Sequence, residues 1–442
     1  MSTNSSSITS KDSVIIIGGG FGGLATAVAL HKVGVPSIVL EKSRHARSEG
    51  FSIGVFTNGW RALDELGVGD DLRQEFLRLE RYKLCDPSGD ALADFALNEC
   101  PPPSHRPDHE MRVVMREAIP RVLTQQLPPG TVLFDAGAAD VTATSTGAEV
   151  TLEDGRKLQC RFVVLADGVH SKTAAKLHKA KLEYMHVVGW RAIVEIDSEE
   201  IKHASATLAQ GNGVRTGCVP VKYDAARKKA LWYWFIACGA QADEDFGDAA
   251  QQKETMRRLV KGWTVGNLQQ LLEATPLDQI KLSKIYQRQV EAGQPWFDGC
   301  ITGVGDACHA TTPFLGQGGA MALESGVELG VFLKHAMNAA GGVPFSNLPP
   351  EALCAALRKY EIVRSERVAF IIKKSRYIGS LSNKRPFLLR KMYMWLLKAG
   401  FVTFPIQPAT FLDHVNWEPS GALSTGPVTV KEPVNGAQHA EE

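Results

Sequence analysis

Residues 14–41 read VIIIGGGFGGLATAVALHKVGVPSIVLE. The β-branched run that opens this stretch is typical of a strand buried on both faces. The alanine- and leucine-rich segment after the glycines predicts a helix, which Gly34 ends and Pro36 prevents from continuing. The apolar residues that follow predict a second strand, which ends at Glu41. The stretch therefore predicts a complete βαβ unit.

The turn between the first strand and the helix carries the glycine pattern GxGxxG. Gly18 permits a tight turn, Gly20 lets a pyrophosphate approach the backbone, and Gly23 lets the helix pack closely on the strand. The free N–H groups of the helix N-terminus attract phosphate. Glu41 follows Gly23 by 18 residues and can accept hydrogen bonds from a ribose diol. In this context the glycines predict dinucleotide binding, with a purely structural turn as the alternative.

The charge balance and the cysteine pattern exclude several classes of protein. The chain has 442 residues, with 49 basic and 48 acidic side chains and a net charge of +1. Such a balance argues against a protein that coats nucleic acid. The eight cysteines form no CxxC pair, which favours reduced thiols, a cytoplasmic location and no metal site. The sequence shows no secretory signal and no run of roughly 20 apolar residues for a transmembrane helix.

Further along the chain, the hydrophobic pattern changes twice. Residues 162–165 and 300–304 are short apolar runs that predict two more buried strands. Between 186 and 240, strand-like runs alternate with turn residues and predict a mostly antiparallel sheet. Residues 319–340 and 351–379 have helical periodicity.

Two further motifs join the glycine pattern. DGVHS lies at 167–171 and GDACHATTPFLGQG at 305–318. With the glycine pattern and Glu41, they resemble the class A flavin-dependent aromatic hydroxylases of the para-hydroxybenzoate hydroxylase type. NGWRALD at 58–64 and VPV at 219–221 are similar to the plant salicylate-hydroxylase-like FAD monooxygenases. The resemblance covers about residues 14–380.

This resemblance implies an α/β fold of mixed α+β character. A Rossmann-type FAD-binding domain would carry an inserted, mostly antiparallel β-sheet that binds the substrate, and helices would follow at the C-terminus. The predicted units are a disordered tail at 1–12, the FAD-binding domain at 13–185 and 285–380, the substrate-binding sheet at 186–284, a helical segment at 381–425 and a disordered tail at 426–442.

The resemblance also implies which residues hold FAD. Glu41 would bind the adenosine ribose, Asp306 the ribityl or pyrophosphate side, and Arg116 the pyrophosphate or ribose, while Arg47 would border the flavin entrance. The helix that begins near 316–318 would direct its positive end at the flavin pyrimidine. The other predicted FAD contacts lie in the three motifs: Gly18, Gly20, Phe21, Gly22, Gly23, Asp167, Gly316, Gln317 and Gly318. Solvated surface charge is the alternative for Arg116 and Arg47, and a turn cap is the alternative for Asp167.

Five residues are candidates for catalysis or substrate binding. Pro313 would line the isoalloxazine where oxygen reacts. Arg191 and Arg215 lie in the predicted sheet, where an arginine can bind a carboxylate or phenolate, and Arg191 has pairing with Glu195 or support of the flavin as its alternatives. Trp234 is a candidate for the substrate wall, with the core as its alternative. His309 is a candidate catalytic residue, and packing near the flavin is its alternative.

The implied activity is that of an FAD-dependent monooxygenase. NADPH or NADH would reduce FAD, O2 would form a flavin C4a-hydroperoxide, and one oxygen would be transferred to a small aromatic substrate. Epoxidation of an alkene and a non-catalytic redox protein are the alternatives. The apolar segment at 392–406, with basic residues on its N-terminal side, predicts contact with the FAD-binding domain, a homodimer partner or a membrane surface.

Overall fold

The computed structural model describes residues 12–45, 51–100, 109–201, 203–383 and 413–423. The predicted tails (apart from residue 12), Arg47 and the segment at 392–406 lie outside the described residues.

The described strands are β1 Val14–Ile17, β2 Ser37–Leu40, β3 Ser52–Val55, β4 Arg81–Cys85, β5 Ala91–Ala96, β6 Arg112–Met115, β7 Val132–Leu133, β8 Ala138–Ala143, β9 Ala148–Leu152, β10 Lys157–Cys160, β11 Phe162–Leu165, β12 Leu182–Asp197, β13 Ser205–Gly211, β14 Val214–Asp224, β15 Lys229–Gly239, β16 Lys281–Arg288 and β17 Ile301–Gly303. The described α-helices are α1 Phe21–Lys32, α2 Thr57–Leu66, α3 Gly69–Glu75, α4 Ala118–Gln125, α5 Lys172–Leu177, α6 Ala249–Leu259, α7 Leu268–Ala274, α8 Asp306–His309, α9 Gly318–Ala339 and α10 Pro350–Asn383.

A five-stranded parallel sheet forms the centre of the molecule, in the order β17-β11-β1-β2-β7. The β-branched and apolar residues of β17, β11, β1 and β2 are buried on both faces, as expected for a parallel sheet covered by helices, whereas the edge strand β7 is half-buried. The predicted βαβ unit is confirmed as β1, α1 and β2. Helices α1 and α9 approach each other closely at Gly326. A Cβ atom added there would lie 2.7 Å from the backbone nitrogen of Thr26.

A second sheet has seven strands, in the order β16-β12-β15-β14-β13-β4-β5. All of its pairs are antiparallel except β13 with β4. The sheet is wider than the predicted segment at 186–284, since β4 and β5 join it from 81–96. Pairing between strands so distant in sequence depends on tertiary contacts that local alternation does not reveal.

The two faces of this sheet have different neighbours. Helices α6 and α7 cover one face, called here the outer face, where apolar residues form a separate core that includes Trp190, Trp234 and Met256. The opposite face, called the inner face, turns towards the parallel sheet and its helices. Cross-strand pairing places the following residues on the inner face: Arg191, Leu208, Gln210, Arg215, Gly217, Tyr233 and Phe235.

None of the described helices combines the length and low polarity needed to cross a membrane.

Candidate active site

The glycine turn leaves open space above its middle residue. Gly18 has φ +109°, and a Cβ atom there would lie 2.5 Å from the carbonyl oxygen of Ala166. A Cβ atom at Gly23 would overlap the carbonyl oxygen of Gly18, so both positions require glycine for close packing. A Cβ atom at Gly20, in contrast, would meet nothing within 4 Å. Gly20 is also the N-cap of α1, which no side chain caps. The turn therefore presents open backbone at a helix N-terminus.

Glu41 lies directly beside this turn. Its Oε2 accepts a hydrogen bond from the backbone N–H of Gly19 at 2.8 Å, and its Oε1 accepts one from Ser43 at 2.9 Å. These bonds hold the carboxylate at the carboxyl end of β2. Each carboxylate oxygen can accept more than one hydrogen bond, so the group can still bind hydroxyl donors.

Asp306 begins α8, immediately after β17. Its side chain is exposed, and its Oδ1 lies 3.9 Å from the position that a Cβ atom at Gly318 would take. Desolvation by the surrounding protein raises the pKa of Asp306 even though part of the residue remains exposed, and the nearby charge of Arg116 opposes this rise. The structure thus places Asp306 beside the N-terminus of α9.

Arg116 connects this site to the glycine turn. Its guanidinium carbon lies 5.7 Å from the ring centroid of Phe21, the first residue of α1, and 4.8 Å from that of Phe51. Arg116 follows β6 and precedes α4, so it lies in a turn, where its side chain is exposed. The tertiary structure therefore brings Phe21, Arg116 and Asp306 together in one region, called here the cleft.

Asp167 forms another part of this cleft, at the end of β11. Its Cα lies 2.8 Å from the position of a Cβ atom at Gly18. Its Oδ1 is buried and has no hydrogen-bond partner among the residues that the structure describes. Burial raises the pKa of Asp167, while a hydrogen bond with Ser171 opposes the rise. Ser171, and not Asp167, is the side chain that caps α5.

Gln317 is the N-cap residue of α9, and its side chain is fully buried. Its Oε1 accepts a hydrogen bond from Asn58 Nδ2 at 2.7 Å, whereas its Nε2 has no partner in the described part of the chain. The preceding Gly316 has φ +65° and packs on Phe56, which lies 2.8 Å from the position of an added Cβ. The backbone thus turns sharply before α9 and directs its N-terminus into the cleft.

Arg215 lies on the inner face of the seven-stranded sheet and is only 6% exposed. Its guanidinium carbon is 4.8 Å from the ring centroid of Phe314, which follows the exposed Pro313. Within the described ranges, no carboxylate pairs with Arg215, and its Nη1 has no hydrogen-bond partner. Burial lowers the pKa of Arg215, and its neighbour Tyr82 opposes this effect. An uncompensated buried guanidinium is a strong attractor for an anion.

Arg191 lies on the same face, closer to the glycine turn. Its Nη2 donates a hydrogen bond to Ser283 Oγ at 3.0 Å, and its guanidinium carbon is 4.2 Å from the Phe51 ring centroid. Its Nε is buried and has no partner among the described residues. The alternative of pairing with Glu195 is not seen, because Glu195 pairs with Arg227.

Two predicted site residues lie away from the cleft. Trp234 is on the outer face of the sheet, where it is fully buried and donates from Nε1 to Thr275 Oγ1 at 2.8 Å. The substrate-wall expectation for Trp234 is therefore wrong, because a shift of one residue along a strand changes the face. His309 is also fully buried; its Nε2 is 2.9 Å from Ser325 Oγ, and burial together with the charge of Arg364 lowers its pKa to about 3. A neutral core histidine of this kind does not fit a catalytic base, and its alternative, packing, fits the structure.

Comparisons with known proteins agree with this geometry. The model of the FAD binding domain family matches residues 11–343. The chain is 28% identical over 335 residues to Monooxygenase 2 of Arabidopsis thaliana, covering 74% of this chain and 78% of that protein. It is 29% identical over 369 residues to the FAD-dependent urate hydroxylase of Klebsiella pneumoniae, covering 82% of this chain and 88% of that protein.

A solved structure also resembles this chain. The crystal structure of a single-residue variant of Klebsiella pneumoniae HpxO complexed with FAD has a TM-score of 0.73 to this chain at 25% identity, covering 88% of this chain and 94% of that one. The family match extends over more than half of the sequence. This chain belongs to the FAD-dependent monooxygenases of the aromatic hydroxylase type.

The cleft of this FAD-dependent monooxygenase fits its cofactor. The open backbone at Gly20 leaves room for a pyrophosphate beside the α1 N-terminus. Asp167 is partly exposed beside Gly18, and its Oδ1, which has no partner among the described residues, is an acceptor that a bound ligand can satisfy. Glu41 and Asp306 are carboxylates that can accept hydrogen bonds from hydroxyl groups. The helix N-terminus and these carboxylates thus fit the phosphates and hydroxyl groups of FAD.

The sequence analysis missed a buried polar network behind Gln317. Asn58 on α2, Glu324 on α9 and Arg364 on α10 are all almost inaccessible to solvent. One signal was available, since Glu324 is an acidic residue within the otherwise apolar run AMALESGV. A buried carboxylate needs a partner, but the partner, Arg364, lies 40 residues further along the chain and could be assigned only from the tertiary structure.

Proposed function

We propose that this monooxygenase uses NADH or NADPH and O2 to hydroxylate a small aromatic substrate that carries a negative charge. Its inner sheet face would hold the substrate opposite the FAD cleft. FAD, when bound, accepts a hydride from the reduced nicotinamide and activates O2 for transfer of one oxygen atom. Glu41, Arg116, Asp167, Asp306 and the glycine turn would hold this cofactor.

The observation that carries the substrate class is the buried, unpaired Arg215. A guanidinium that is 6% exposed and has no carboxylate partner in the described structure leaves its charge uncompensated. Retaining such a group is unfavourable unless a ligand provides the negative charge. A carboxylate or phenolate would provide it and could bind two guanidinium N–H groups at once.

The surroundings of Arg215 favour an aromatic ring as the rest of the substrate. Phe314 lies under its guanidinium, and Tyr233 and Phe235 lie on the same sheet face. Apolar rings bind a flat aromatic molecule and exclude water from the reacting atoms. Pro313 would form the wall next to the flavin ring.

The positive charge would also activate the substrate. A cation near a phenol lowers the pKa of the phenol, because it stabilises the phenolate. A phenolate ring is richer in electrons than a phenol and reacts more readily with an electrophilic oxygen. Arg191, placed between Phe51 and Ser283, would orient a second anionic substituent or the ring edge.

A cytoplasmic location is also proposed. All eight cysteines are free, and seven of them are buried. Reduced thiols are typical of the cytosol, where the reduced nicotinamide is also available.

The experiment begins with the pigment of the purified protein. Flavin released by heat should be FAD on chromatography; FMN, or no flavin after reconstitution, would contradict the proposal. The rate of flavin reduction by NADH and NADPH is then measured with a panel of aromatic carboxylates and phenols. Each carboxylate is matched with its uncharged amide as a control.

We expect one anionic aromatic compound to accelerate flavin reduction and its amide to have little effect. Isotope-labelled O2 should then introduce one labelled oxygen atom into the ring. Stimulation by amides and acids alike would contradict the anionic substrate class. An epoxide product from an alkene would support the alternative reaction.

A further inference from the structure

Two cysteine thiols meet where α10 packs against the central parallel sheet. Cys300 immediately precedes β17, and Cys354 lies near the start of α10, 54 residues further along the chain. Their Sγ atoms are 3.4 Å apart. The sulfur atoms of a disulfide are about 2.05 Å apart, so an approach of roughly 1.4 Å would bring this pair to bonding distance. The tertiary structure thus places two distant cysteines within reach of each other.

Hydrogen bonds to α10 hold the segment that carries Cys300. Glu361 accepts a hydrogen bond from the backbone N–H of Trp296 at 2.8 Å and one from Thr302 Oγ1 at 2.7 Å. These two residues lie on either side of Cys300 in the sequence. Glu361 follows Cys354 by seven residues, and residues at this spacing share one face of a helix. The chain around Cys300 is therefore held against the helix face that carries Cys354.

The two thiols differ in their access to solvent. All eight cysteines lie within the described residues, and Cys354 is the one that is not buried. It lines a cavity of about 210 Å³ together with Phe297, Gly299 and Arg358. A water molecule occupies about 30 Å³, so a small oxidant has room to reach Cys354. Cys300, in contrast, is only 7% exposed.

This difference assigns the two thiols different roles. Burial raises the pKa of Cys300, and its hydrogen bond with Cys354 adds to this rise, whereas the charge of Arg161 opposes it. Cys300 therefore remains protonated near neutral pH, and the thiolate is the reactive form of cysteine. We expect the first reaction at the accessible Cys354, with Cys300 placed to attack the product.

We infer that Cys300 and Cys354 form a peroxide-reactive dithiol that closes reversibly to a disulfide between α10 and the start of β17. The Cys354 thiolate attacks hydrogen peroxide; an S–O bond forms, the O–O bond breaks, and the departing hydroxide takes up a proton to give water. Cys300 Sγ then attacks the sulfenic acid of Cys354. The S–S bond forms, and hydroxide leaves with the Cys300 proton as a second water. Two thiols are thus oxidised to one disulfide, and one peroxide is reduced to two waters.

The disulfide would enclose one of the three sequence motifs. Residues 305–318, with Asp306 and the start of α9, lie between the two cysteines. A link across 54 residues restricts the unfolded chain and should raise the melting temperature by about 4 °C. Disulfides of cytosolic proteins are usually transient, so a thiol reductant should reverse the change.

The test is peptide mapping of the peroxide-treated holoenzyme. Unreacted thiols are alkylated, and the protein is digested without reduction by trypsin and by a protease that cleaves before aspartate. This digestion places Cys300 in residues 298–305, Cys308 in 306–334 and Cys354 in 335–358. We expect peptides 298–305 and 335–358 to be linked, and the link to form about tenfold faster than the oxidation of any other cysteine.

Three serine variants separate the roles of the thiols. Cys300→Ser should retain the sulfenic acid on Cys354, where dimedone captures it. Cys354→Ser should form no disulfide and show no rise in melting temperature after peroxide treatment. Cys238→Ser, at a cysteine that is 9% exposed, is the matched control and should form the linked peptides at the wild-type rate.

Several results would overturn the inference. One is the oxidation of other cysteines without linkage of 298–305 to 335–358; another is a link that forms only in urea, since the native fold would then not hold the thiols together. A disulfide between Cys300 and a different cysteine would assign the wrong partner. A lower melting temperature of the linked protein would show that the native fold does not accommodate the bond.

Discussion

The α9–α10 interface and the inner face of the seven-stranded sheet both bury an arginine, but they compensate its charge differently. Arg364 is 1% exposed and donates to Glu324, to Ser325 Oγ and to the carbonyl oxygen of Met321. Arg215 is 6% exposed and has no such partner in the described part of the chain. The first site is complete within the protein, whereas under the proposed function the second receives its anion from the substrate.

Carboxylates show the same contrast. Glu324, beside two arginines, has a pKa lowered to about 2. Glu361 on α10 is also buried, but among the described residues it accepts hydrogen bonds only from two backbone N–H groups and from Thr302, and burial raises its pKa to about 7. A buried charge that is paired remains ionised, and one that is not paired either becomes neutral or marks a binding site. Arginine does not lose its proton readily, so the proposed function assigns to Arg215 the binding of an anion.

The largest effect is expected at the paired arginine. Arg364→Met would leave Glu324 with only one cationic partner in a buried environment, and it should lower the free energy of unfolding by about 3–5 kcal/mol. Chemical denaturation of the FAD-free protein measures this loss. Arg358→Met, at an exposed position of the same helix, is the control, and equal losses in both variants would remove the distinction between paired and exposed arginines.

The buried carboxyl group of Glu361 should make the free energy of unfolding depend on pH. Between the usual value of 4.5 and about 7, the folded protein holds a proton on Glu361 that the unfolded chain has released. The free energy of unfolding should therefore fall as pH rises through this window, by about 3 kcal/mol from this group. Glu361→Gln has no proton to lose and should remove that part of the slope.

Denaturation curves at several pH values, with wild type and Glu361→Gln compared at each, isolate this contribution. Glu351→Gln, exposed on the same helix, should retain the wild-type slope. If wild type instead gained stability relative to Glu361→Gln as pH rises through this window, Glu361 would be ionised in the folded protein, which would contradict the comparison.

The unpaired arginine should matter for substrate and not for stability. Arg215→Met should lower kcat/KM for an anionic substrate roughly 100-fold, or about 2.7 kcal/mol, because the charge pair with the substrate is lost. The free energy of unfolding should remain equal or increase, since a buried charge is removed. Steady-state kinetics and denaturation of one preparation measure both. A loss of stability with normal kcat/KM would show that Arg215 is compensated within the protein.

The smallest effect is expected at Arg191, whose Nη2 already donates a hydrogen bond to Ser283 Oγ. Arg191→Lys should retain FAD but lower the ratio of hydroxylated product to NAD(P)H consumed, roughly twofold to fivefold, because lysine lacks the planar fork of arginine. Flavin occupancy, product and hydrogen peroxide are measured together. An unchanged ratio at normal occupancy would exclude a substrate role, and loss of FAD would indicate that Arg191 supports the flavin.

Several site residues could be assigned before any tertiary contact was known. The glycine turn, Glu41 and Asp306 each lie at the end of a strand that apolar residues mark clearly. Strand, turn and helix follow one another within a few residues there, so side-chain chemistry and position are both local. Their convergence on one cleft followed only from the family resemblance, and the structure shows it through the contacts of Phe21 and Arg116.

Positions that depend on distant partners could not be assigned in this way. Strand register determines that Arg215 faces the cleft while Trp234 faces helices α6 and α7, and register is set by pairing across the sheet. His309 shares a motif with Asp306 but lies in the core, where it contacts Ser325 of α9 and the ring of Trp296. Neither contact can be recognised from the motif alone.

Local sequence was therefore sufficient for the βαβ unit, the cofactor class and the family of this monooxygenase, since these depend on residue types at short spacing. The tertiary structure was needed to show which buried charges are compensated. Glu324, Arg364 and Asn58 meet from three helices, while Arg215 meets no carboxylate within the described residues. The energy of a charge depends on its neighbours in space, and those neighbours are distant in sequence.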